Sequence, residues 1–333
     1  MPDLTAAVSS AMPDPGQPVP LVPGGRRIRE DLVAAMDVGG TSIKAGLVTA
    51  DGTVVREARR PTGVAGGPDA VIDRIMNFAA DLVDSGQVRA VGIGVPGVVD
   101  GGSGIARYAA NLGWRDVPFV RLLSDRLGLP VALGHDVRLG ALAEARLGAG
   151  AGLPSVYFVA IGTGIAGGMV TDGQVENGSS GQAGEVGHLV VRPGGPLCNC
   201  GNLGCLEAIA SASRIGRSYL EATGKEVSAR DVVDLMRAGD VAAQLVWDDA
   251  IEALADALAT VTVLSDPGLL VMGGGLSLAG DLLTVPLTAA LARRMTFRSA
   301  PPIVVTELGD RAGLAGAALL AWDLLAAKKL EET

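Results

Sequence analysis

From residue 31 onward, short apolar runs alternate with glycines, a pattern typical of buried strands joined by tight turns. The first three predicted strands cover residues 32–38, 43–49 and 53–59. Asp51-Gly52 predicts a hairpin turn between the last two, and a helical spacing over residues 68–85 leads to a strand over residues 90–95. The order β-β-β-α-β differs from the β-α-β start of a dinucleotide-binding fold.

A second strand-glycine-strand pattern occupies residues 155–175, where one apolar run precedes Gly162-Thr163-Gly164 and another follows it. Because this pattern repeats the opening hairpin, we expect two domains of related architecture. The remaining predicted elements are helices over residues 206–223, 229–238 and 242–263 and a strand over residues 269–272. The chain is expected to cross between the domains near residues 134–148 and to return near residue 310.

The predicted organisation has three parts. Residues 1–30 contain six of the eighteen prolines and form a predicted disordered leader, with prolines where a signal peptide needs its apolar run. Residues 31–135 form a small N-terminal α/β domain, to which a C-terminal helix over residues 312–330 returns. Residues 136–311 form a larger α/β domain.

Composition narrows the functional classes. The 333 residues, 48% of them apolar, are enough for two cores, and the formal charge of −9 disfavours nucleic acid and anionic membranes as partners. No stretch offers eighteen apolar residues free of glycine, proline or charge, so no membrane span is predicted. The three cysteines lie within eight residues, unlike a disulfide framework, and favour a reducing cytoplasm.

Candidate chemistry begins at the first turn, which runs from Asp37 through Gly39, Gly40 and Thr41 to Lys44. Phosphate oxygens can approach such glycines closely because no Cβ intervenes, and exposed N–H groups supply donors. Asp37 beside the turn could hold a hydrated Mg²⁺. The alternative is a plain glycine hairpin with a polar cap.

Residues 162–167 formally match G-x-G-x-x-G, but the signal is weak because a strand, and not a helix, is predicted to follow. A second phosphate-facing hairpin at Thr163 and Gly164 fits better, and an ordinary structural hairpin is the alternative. The sequence contains no G-x-x-x-x-G-K-[ST] motif of a P-loop.

His188, Cys198, Cys200 and Cys205 give the strongest single signal. Three thiolates and one imidazole complete a tetrahedral zinc set with no position left for water, which predicts a structural site. The alternatives are three buried free cysteines or a redox pair, for which the C-x-C spacing is strained.

Asp136 lies where a short predicted strand ends and a helix begins. A carboxylate at such a point is a ready-made helix N-cap. On spacing alone, the capping role is favoured over a chemical one.

Together these stretches resemble the ROK family (repressors, open reading frames and kinases) of sugar kinases, and within it the bacterial glucokinases, over residues 35–326. The matching motifs, in the family's order, are Asp37-Val38-Gly39-Gly40-Thr41, Gly94-Val95-Pro96-Gly97, Asn111-Leu112-Gly113-Trp114, Asp136, Gly162-Thr163-Gly164, Gly184-Glu185-Val186-Gly187-His188, Cys205-Leu206-Glu207 and Gly273-Gly274-Gly275. The resemblance implies an α/β fold of two actin-like, ribonuclease-H-like ATPase domains, with ATP and sugar in the cleft between them, a zinc-bearing loop, and a homodimer or homotetramer.

The resemblance also implies a role for each matching residue. Asp136 matches the catalytic base, which takes a proton from the sugar's primary hydroxyl as that oxygen attacks the γ-phosphorus. The matching sugar-binding residues are Asn111, Glu185, His188 and Glu207, and His188 also ligates zinc. The matching residues for ATP and Mg²⁺ are Gly40, Thr41, Thr163 and Gly164 in two phosphate loops, Gly274 and Gly275 in an adenosine-side turn, and Asp37 for the metal. For Glu185 and Glu207, the alternative is a solvated surface position.

The chain departs from the family pattern at His135, where the family commonly has an asparagine that reads a sugar hydroxyl. An imidazole beside the base offers one donor and one acceptor, so His135 is expected to set the choice of sugar. The alternative is that His135 packs against the helix, with Arg138 exposed.

The sequence therefore predicts a cytoplasmic, ATP-dependent kinase acting on the 6-hydroxyl of a hexose. Glucose is the first choice, and N-acetylmannosamine, N-acetylglucosamine, mannose and fructose are alternatives. A sugar-sensing ROK regulator is the competing class, but residues 1–30 are too short and too proline-rich for a winged helix-turn-helix. A nicotinamide oxidoreductase rests only on the weak glycine motif.

Overall fold

The computed structural model describes residues 31–85 and 87–331, and the predicted leader lies outside them. The strands are β1 (Leu32–Val38), β2 (Ser42–Val48), β3 (Val54–Pro61), β4 (Val88–Val95), β5 (Val98–Asp100), β6 (Ile105–Ala109), β7 (Trp114–Val117), β8 (Val131–His135), β9 (Ser155–Ile161), β10 (Ile165–Thr171), β11 (Gln174–Val175), β12 (Leu269–Gly273) and β13 (Ile303–Val305). The helices are α1 (Gly67–Val83), α2 (Phe119–Leu127), α3 (Asp136–Leu147), α4 (Glu207–Ala210), α5 (Ala212–Thr223), α6 (Ala229–Arg237), α7 (Val241–Ser265), α8 (Asp281–Arg294) and α9 (Ala312–Glu331).

Two five-stranded sheets of the same topology carry the fold. The first has the strand order β3-β2-β1-β4-β8 and the second β11-β10-β9-β12-β13, and β5-β6-β7 form a third, smaller sheet that contacts β8 of the first. In each large sheet, a run of antiparallel strands continues into parallel ones, since β1 pairs with β4 and β9 with β12 in parallel. The repeat predicted from the two glycine hairpins is confirmed.

Helix α9 brings the end of the described chain back to the first sheet, where it packs on β1, β4 and α3. Glycines allow this close approach. A Cβ on Gly92 would lie 1.9 Å from the carbonyl oxygen of Ala317, and one on Gly316 would lie 1.9 Å from that of Leu139. This packing agrees with a returning helix, while the division of the chain into domains at residues 135 and 311 stays a prediction.

Each large sheet has its own apolar core. Aliphatic side chains make up most of the first core, and Trp114 and Phe119 join it with their rings edge to face at 5.2 Å. Tyr219 and Trp247 are the largest buried side chains of the second core. Within residues 31–85 and 87–331, no helix combines the length and the apolar character that crossing a membrane requires.

The predicted β-β-β-α-β opening is confirmed, with element ends displaced by no more than two residues. The single helix predicted over residues 206–223 is wrong, because Ser211 separates α4 from α5. Ser211 is extended (φ −66°, ψ 154°), and its hydroxyl accepts a hydrogen bond from the backbone N–H of Arg214 at 3.2 Å. A serine that caps a new helix ends the preceding one.

Candidate active site

The carboxyl ends of three parallel strands meet at one edge of the first sheet. Asp37 of β1 pairs with Gly94 of β4, and Gly94 pairs with Gly134 of β8. Asp136 follows β8 directly as the first residue of α3. A Cβ on Gly94 would lie 3.0 Å from Cδ1 of Leu139, so the missing side chain lets α3 pack closely against this edge. The topology thus brings Asp37 and Asp136 together.

Asp37 is a largely buried carboxylate with one cationic neighbour. The Nζ of Lys44 lies 3.7 Å from its Oδ2 and also donates to the backbone carbonyl of Asp310. Burial raises the pKa of Asp37 to about 6, and the negative charge of Asp136 adds to the increase, while Lys44 opposes it. One lysine leaves the two carboxylates incompletely neutralised, and the oxygens suit a hydrated Mg²⁺.

Asp136 does not cap α3, although its spacing in the sequence favours that role. The N-cap is His135, whose Nδ1 accepts the backbone N–H of Arg138 at 3.4 Å. Asp136 is the first helical residue, and its Oδ1 accepts the N–H of Val137 at 2.8 Å. Burial raises the pKa of Asp136 to about 6. A carboxylate with a pKa near neutrality is suited to general base catalysis.

His135 is buried, with 5% of its surface exposed, and burial lowers the pKa of the ring to about 4. The ring is therefore neutral near pH 7. A neutral ring whose Nδ1 accepts the N–H of Arg138 carries its proton on Nε2, and Nδ1 also lies 3.3 Å from Oδ1 of Asp136. The alternative for His135 expected Arg138 to be exposed. That expectation is wrong, since Arg138 is only 2% exposed.

The first glycine turn is held from outside by Thr62. The hydroxyl of this buried residue donates to the carbonyl of Gly39 at 2.6 Å, and its N–H donates to the carbonyl of Thr41 at 2.9 Å. Gly40 and Thr41 are exposed. A Cβ on Gly40 would lie 3.2 Å from the Nδ2 of Asn111, so the turn and the predicted sugar-binding amide are neighbours.

The second glycine turn is held by Glu207. Its Oε2 accepts the N–H of Ile165 at 2.8 Å, and a Cβ on Gly164 would lie 2.6 Å from the same oxygen. Thr163 and Gly164 are exposed, and the carbonyl of Thr163 accepts the hydroxyl of Ser213 at 3.2 Å. A cavity of about 190 Å³ opens beside Thr163 and Glu207. Glu207 thus stabilises the turn and is also a candidate ligand for the sugar.

The predicted adenosine-side turn follows β12. Gly274 has φ +74°, and a Cβ there would lie 2.4 Å from the carbonyl oxygen of Ile161, which ends β9. Gly275 faces open space. Only glycine fits the first position, and the turn lies against the strand that leads into the second glycine turn.

The four predicted zinc ligands form one cluster. The ligand atoms of His188, Cys198, Cys200 and Cys205 all lie within 4.8 Å of one another. The Nδ1 of His188 is 3.8 Å from the Sγ of Cys198, whereas its Nε2 is 3.9 Å from Oε2 of Glu185. One ring nitrogen therefore faces the thiols and the other faces a predicted sugar ligand. Three thiolates and an imidazole within this reach fit a tetrahedral Zn²⁺.

Three residues near this site were not predicted to matter. Thr62 donates a hydrogen bond to the first turn, the backbone carbonyl of Asp310 accepts a hydrogen bond from Lys44, and Arg138 is buried close to Asp136 in the sequence. The first two join segments distant in sequence, which no local pattern reveals. A signal existed for Arg138, because it is the one charged residue between Asp136 and Glu144 on an otherwise apolar stretch of helix.

Comparison of the sequence with known proteins identifies the family of this chain. The sequence profile of the ROK family matches residues 33–323. The glucokinase of Thermotoga maritima is 36% identical over 300 residues, which cover 85% of this chain and 95% of that protein.

Solved structures agree. The ROK hexokinase of Thermus thermophilus is 36% identical, with a TM-score of 0.80 over 89% of this chain and 99% of that one. A ROK family glucokinase of Streptomyces griseus, in complex with glucose and AMPPNP, is 31% identical, with a TM-score of 0.78 over 88% of this chain and 99% of that one. The predicted actin-like α/β fold is confirmed, and the chain belongs to the ROK family.

Proposed function

We propose that the protein is an ATP-dependent hexose kinase that transfers the γ-phosphoryl group to the 6-hydroxyl of a hexose, with glucose as the preferred substrate. One observation carries the proposal. The carboxylate of Asp136 lies at the edge where parallel strands end, beside Asp37 and the first glycine turn, with a pKa raised to about 6. Relatives called glucokinase and hexokinase align with more than four fifths of the chain, each at 36% identity.

Asp136 is proposed as the general base. Its carboxylate takes the proton of the 6-hydroxyl as that oxygen forms a bond to the γ-phosphorus, and the bond from the γ-phosphorus to the bridging oxygen of ADP breaks. The reaction gives the sugar 6-phosphate and ADP, with the proton on Asp136. A pKa near 6 leaves the base ionised at pH 7 and still able to hold the proton.

Sugar binding is proposed for Asn111, Glu185, His188 and Glu207. Each presents an oxygen or nitrogen that can pair with a hydroxyl, which both donates and accepts hydrogen bonds. Nε2 of His188 lies beside Glu185, and Asn111 lies beside Gly40 at the first turn. These neighbours support a sugar seated between the zinc loop and the phosphate loops.

ATP binding is proposed for the two exposed glycine turns. Gly40, Thr41, Thr163 and Gly164 offer backbone N–H groups to phosphates, with Lys44 as a nearby cation, and Gly274 and Gly275 border the adenosine. Asp37 would hold Mg²⁺, which neutralises phosphate charge during the transfer. His188, Cys198, Cys200 and Cys205 would hold Zn²⁺, which fixes the orientation of His188.

The direct test is ADP release by the purified chain with a panel of hexoses and amino sugars. We expect sugar-dependent ADP release, fastest with glucose, and no change in nicotinamide absorbance when NAD or NADP replaces ATP. Sugar-dependent nicotinamide reduction, or ADP release that ignores the sugar, would contradict the proposal.

Activity should depend on pH through the carboxylate pair. Asp136 must be ionised to act as base, so kcat/KM is expected to be full above about pH 7 and to fall about tenfold per unit below about pH 6. Asp37 also has a pKa of about 6, so the fall reports the coupled pair. Zinc content measured over the same range separates this effect from metal loss. A profile that stays flat down to about pH 5 would contradict the assignment.

His135→Asn should change the choice of sugar. Asparagine is a good N-cap, so it can replace the bond from Nδ1 to the N–H of Arg138, while its amide offers different groups than Nε2–H. We expect the ratio of kcat/KM between glucose and N-acetylated sugars to shift by about fivefold or more, with an unchanged melting temperature. An unchanged ratio across the panel would assign selectivity to Asn111, Glu185 and Glu207.

Two further expectations concern the protein as a whole. We expect a homodimer or homotetramer, which light scattering on the purified chain would measure. The three cysteines are unbridged and grouped as metal ligands, which supports a reducing compartment such as the cytoplasm.

A further inference from the structure

Arg138 is a buried arginine whose bonds join two parts of the proposed sugar site. It lies on the first turn of α3, two residues after Asp136. Its Nη2 donates to the carbonyl of Gly181 at 2.8 Å, and its Nη1 donates to the carbonyl of Ala183 at 3.0 Å. Both carbonyls belong to the segment that leads to Glu185. One planar guanidinium thus spans α3 and this segment.

Few backbone bonds tie the segment over residues 176–185 to the rest of the protein. It follows the two-residue strand β11, and two bonds join its ends to β10, from Glu176 N–H to the carbonyl of Met169 at 2.9 Å and from Gly167 N–H to the carbonyl of Gly184 at 2.7 Å. The bond from Ala183 N–H to the carbonyl of Asn177 at 3.2 Å lies within the segment. A cavity of about 700 Å³ borders Arg138 and residues 177–181. The segment therefore has room to move if the guanidinium is removed.

The charge of Arg138 is unusual for so buried a side chain. Within the described ranges, no carboxylate oxygen lies within 4.0 Å of its guanidinium, and its buried Nε has no hydrogen-bond partner. Burial lowers the pKa of Arg138, and the negative charges of Glu185 and Asp136 partly oppose this effect. Burying an unpaired charge is costly, so the placement requires a benefit that an apolar residue would not give.

We propose that Arg138 is a positioning residue for the sugar: it ties the segment carrying Glu185 to the helix that begins with Asp136. The base and the sugar ligand then keep one geometry, in which the 6-hydroxyl meets Asp136 while Glu185 holds other hydroxyls. The proposal rests on the proposed kinase function for its effect on catalysis. The anchoring of the segment is a separate physical statement.

The test compares Arg138→Met with Arg146→Met. Arg146 is the control because it lies on the same helix and likewise donates to a backbone carbonyl, that of Gly173 at 2.8 Å, which precedes β11 and is outside residues 176–185. Its Nη1 also pairs with Asp323 at 2.9 Å. In R138M, we expect the KM for glucose to rise at least about tenfold and the KM for ATP to stay within about twofold. Amide hydrogen exchange in peptides over residues 176–185 should quicken at least about tenfold. R146M should change neither quantity.

Arg138→Lys keeps the charge, but an ammonium group cannot bond both carbonyls in the way that a planar guanidinium does. The rise in the KM for glucose and the increase in exchange should therefore both be smaller than in R138M. If R138M does not fold, R138K decides the question alone. Unchanged exchange in the segment, or faster exchange with an unchanged KM for glucose, would overturn the proposal. Wild-type protein that releases no ADP with any sugar would overturn the proposed function, and exchange in R138M would then still decide whether Arg138 anchors the segment.

Discussion

Asp136→Asn is expected to give a folded protein whose turnover is at least about 10²-fold lower than that of the wild type. Asparagine keeps the bond from the N–H of Val137, which Oδ1 of Asp136 accepts at 2.8 Å, and His135 remains the N-cap. What is lost is the group that takes the proton. Because burial already disfavours the ionised carboxylate, its neutral replacement should not lower the melting temperature.

Asp281→Asn is the matched control for this substitution. Asp281 is also the first residue of its helix, α8, but it is exposed. Its replacement should leave kcat unchanged. Steady-state turnover and thermal unfolding of both variants make the comparison. A folded D136N enzyme with nearly full turnover would return Asp136 to a structural role.

Cys200→Ala is expected to abolish stoichiometric zinc and to raise the KM for glucose at least about tenfold. Cys200 is exposed, so its loss removes a ligand without opening a cavity in the core. With three ligands left, the metal no longer fixes Nδ1 of His188, and Nε2 loses its orientation beside Glu185. Elemental analysis and calorimetric titration with glucose measure the two effects.

Leu203→Ala is the control for the zinc loop, since Leu203 lies between Cys200 and Cys205, is half exposed and offers no ligand atom. It should retain one zinc per chain and nearly unchanged sugar affinity. The zinc assignment would be contradicted by wild-type protein that is fully active with much less than one zinc per chain. It would also be contradicted by C200A protein that binds glucose as tightly as the wild type.

The parts of the fold that were predictable from sequence are those whose signal is local. The glycine hairpins after β1 and β9 mark strand pairs, because apolar runs of strand length flank short turns that contain two glycines each. The small sheet β5-β6-β7, strand β13 and helices α2 and α8 gave no such signal. Strands of three to five residues are ambiguous in a pattern, and Pro286 inside α8 interrupts the helical signal.

In the candidate site, too, the features that could be predicted are those with a local signal in the sequence. The cluster of His188 with three cysteines could be predicted, because ligand chemistry and spacing are both written in sequence, and its atoms do converge. The role of Asp136 was obscured because a carboxylate at a helix start has two explanations. Only the tertiary structure shows that His135 takes the cap and that burial raises the pKa of Asp136. The reach of Arg138 to residues more than forty positions away has no local signature.

The most direct test of the central claim is identification of the product formed from ATP and glucose by the purified chain. Phosphorus–proton correlation by NMR locates the phosphate on the sugar, and ADP is quantified in the same sample. We expect one equivalent of ADP per equivalent of glucose 6-phosphate, with the phosphate coupled to the C6 protons and D136N protein forming product at least about 10²-fold more slowly. Phosphate on another carbon, or ADP formed with free phosphate and unchanged glucose, would contradict the assignment of a hexose 6-kinase.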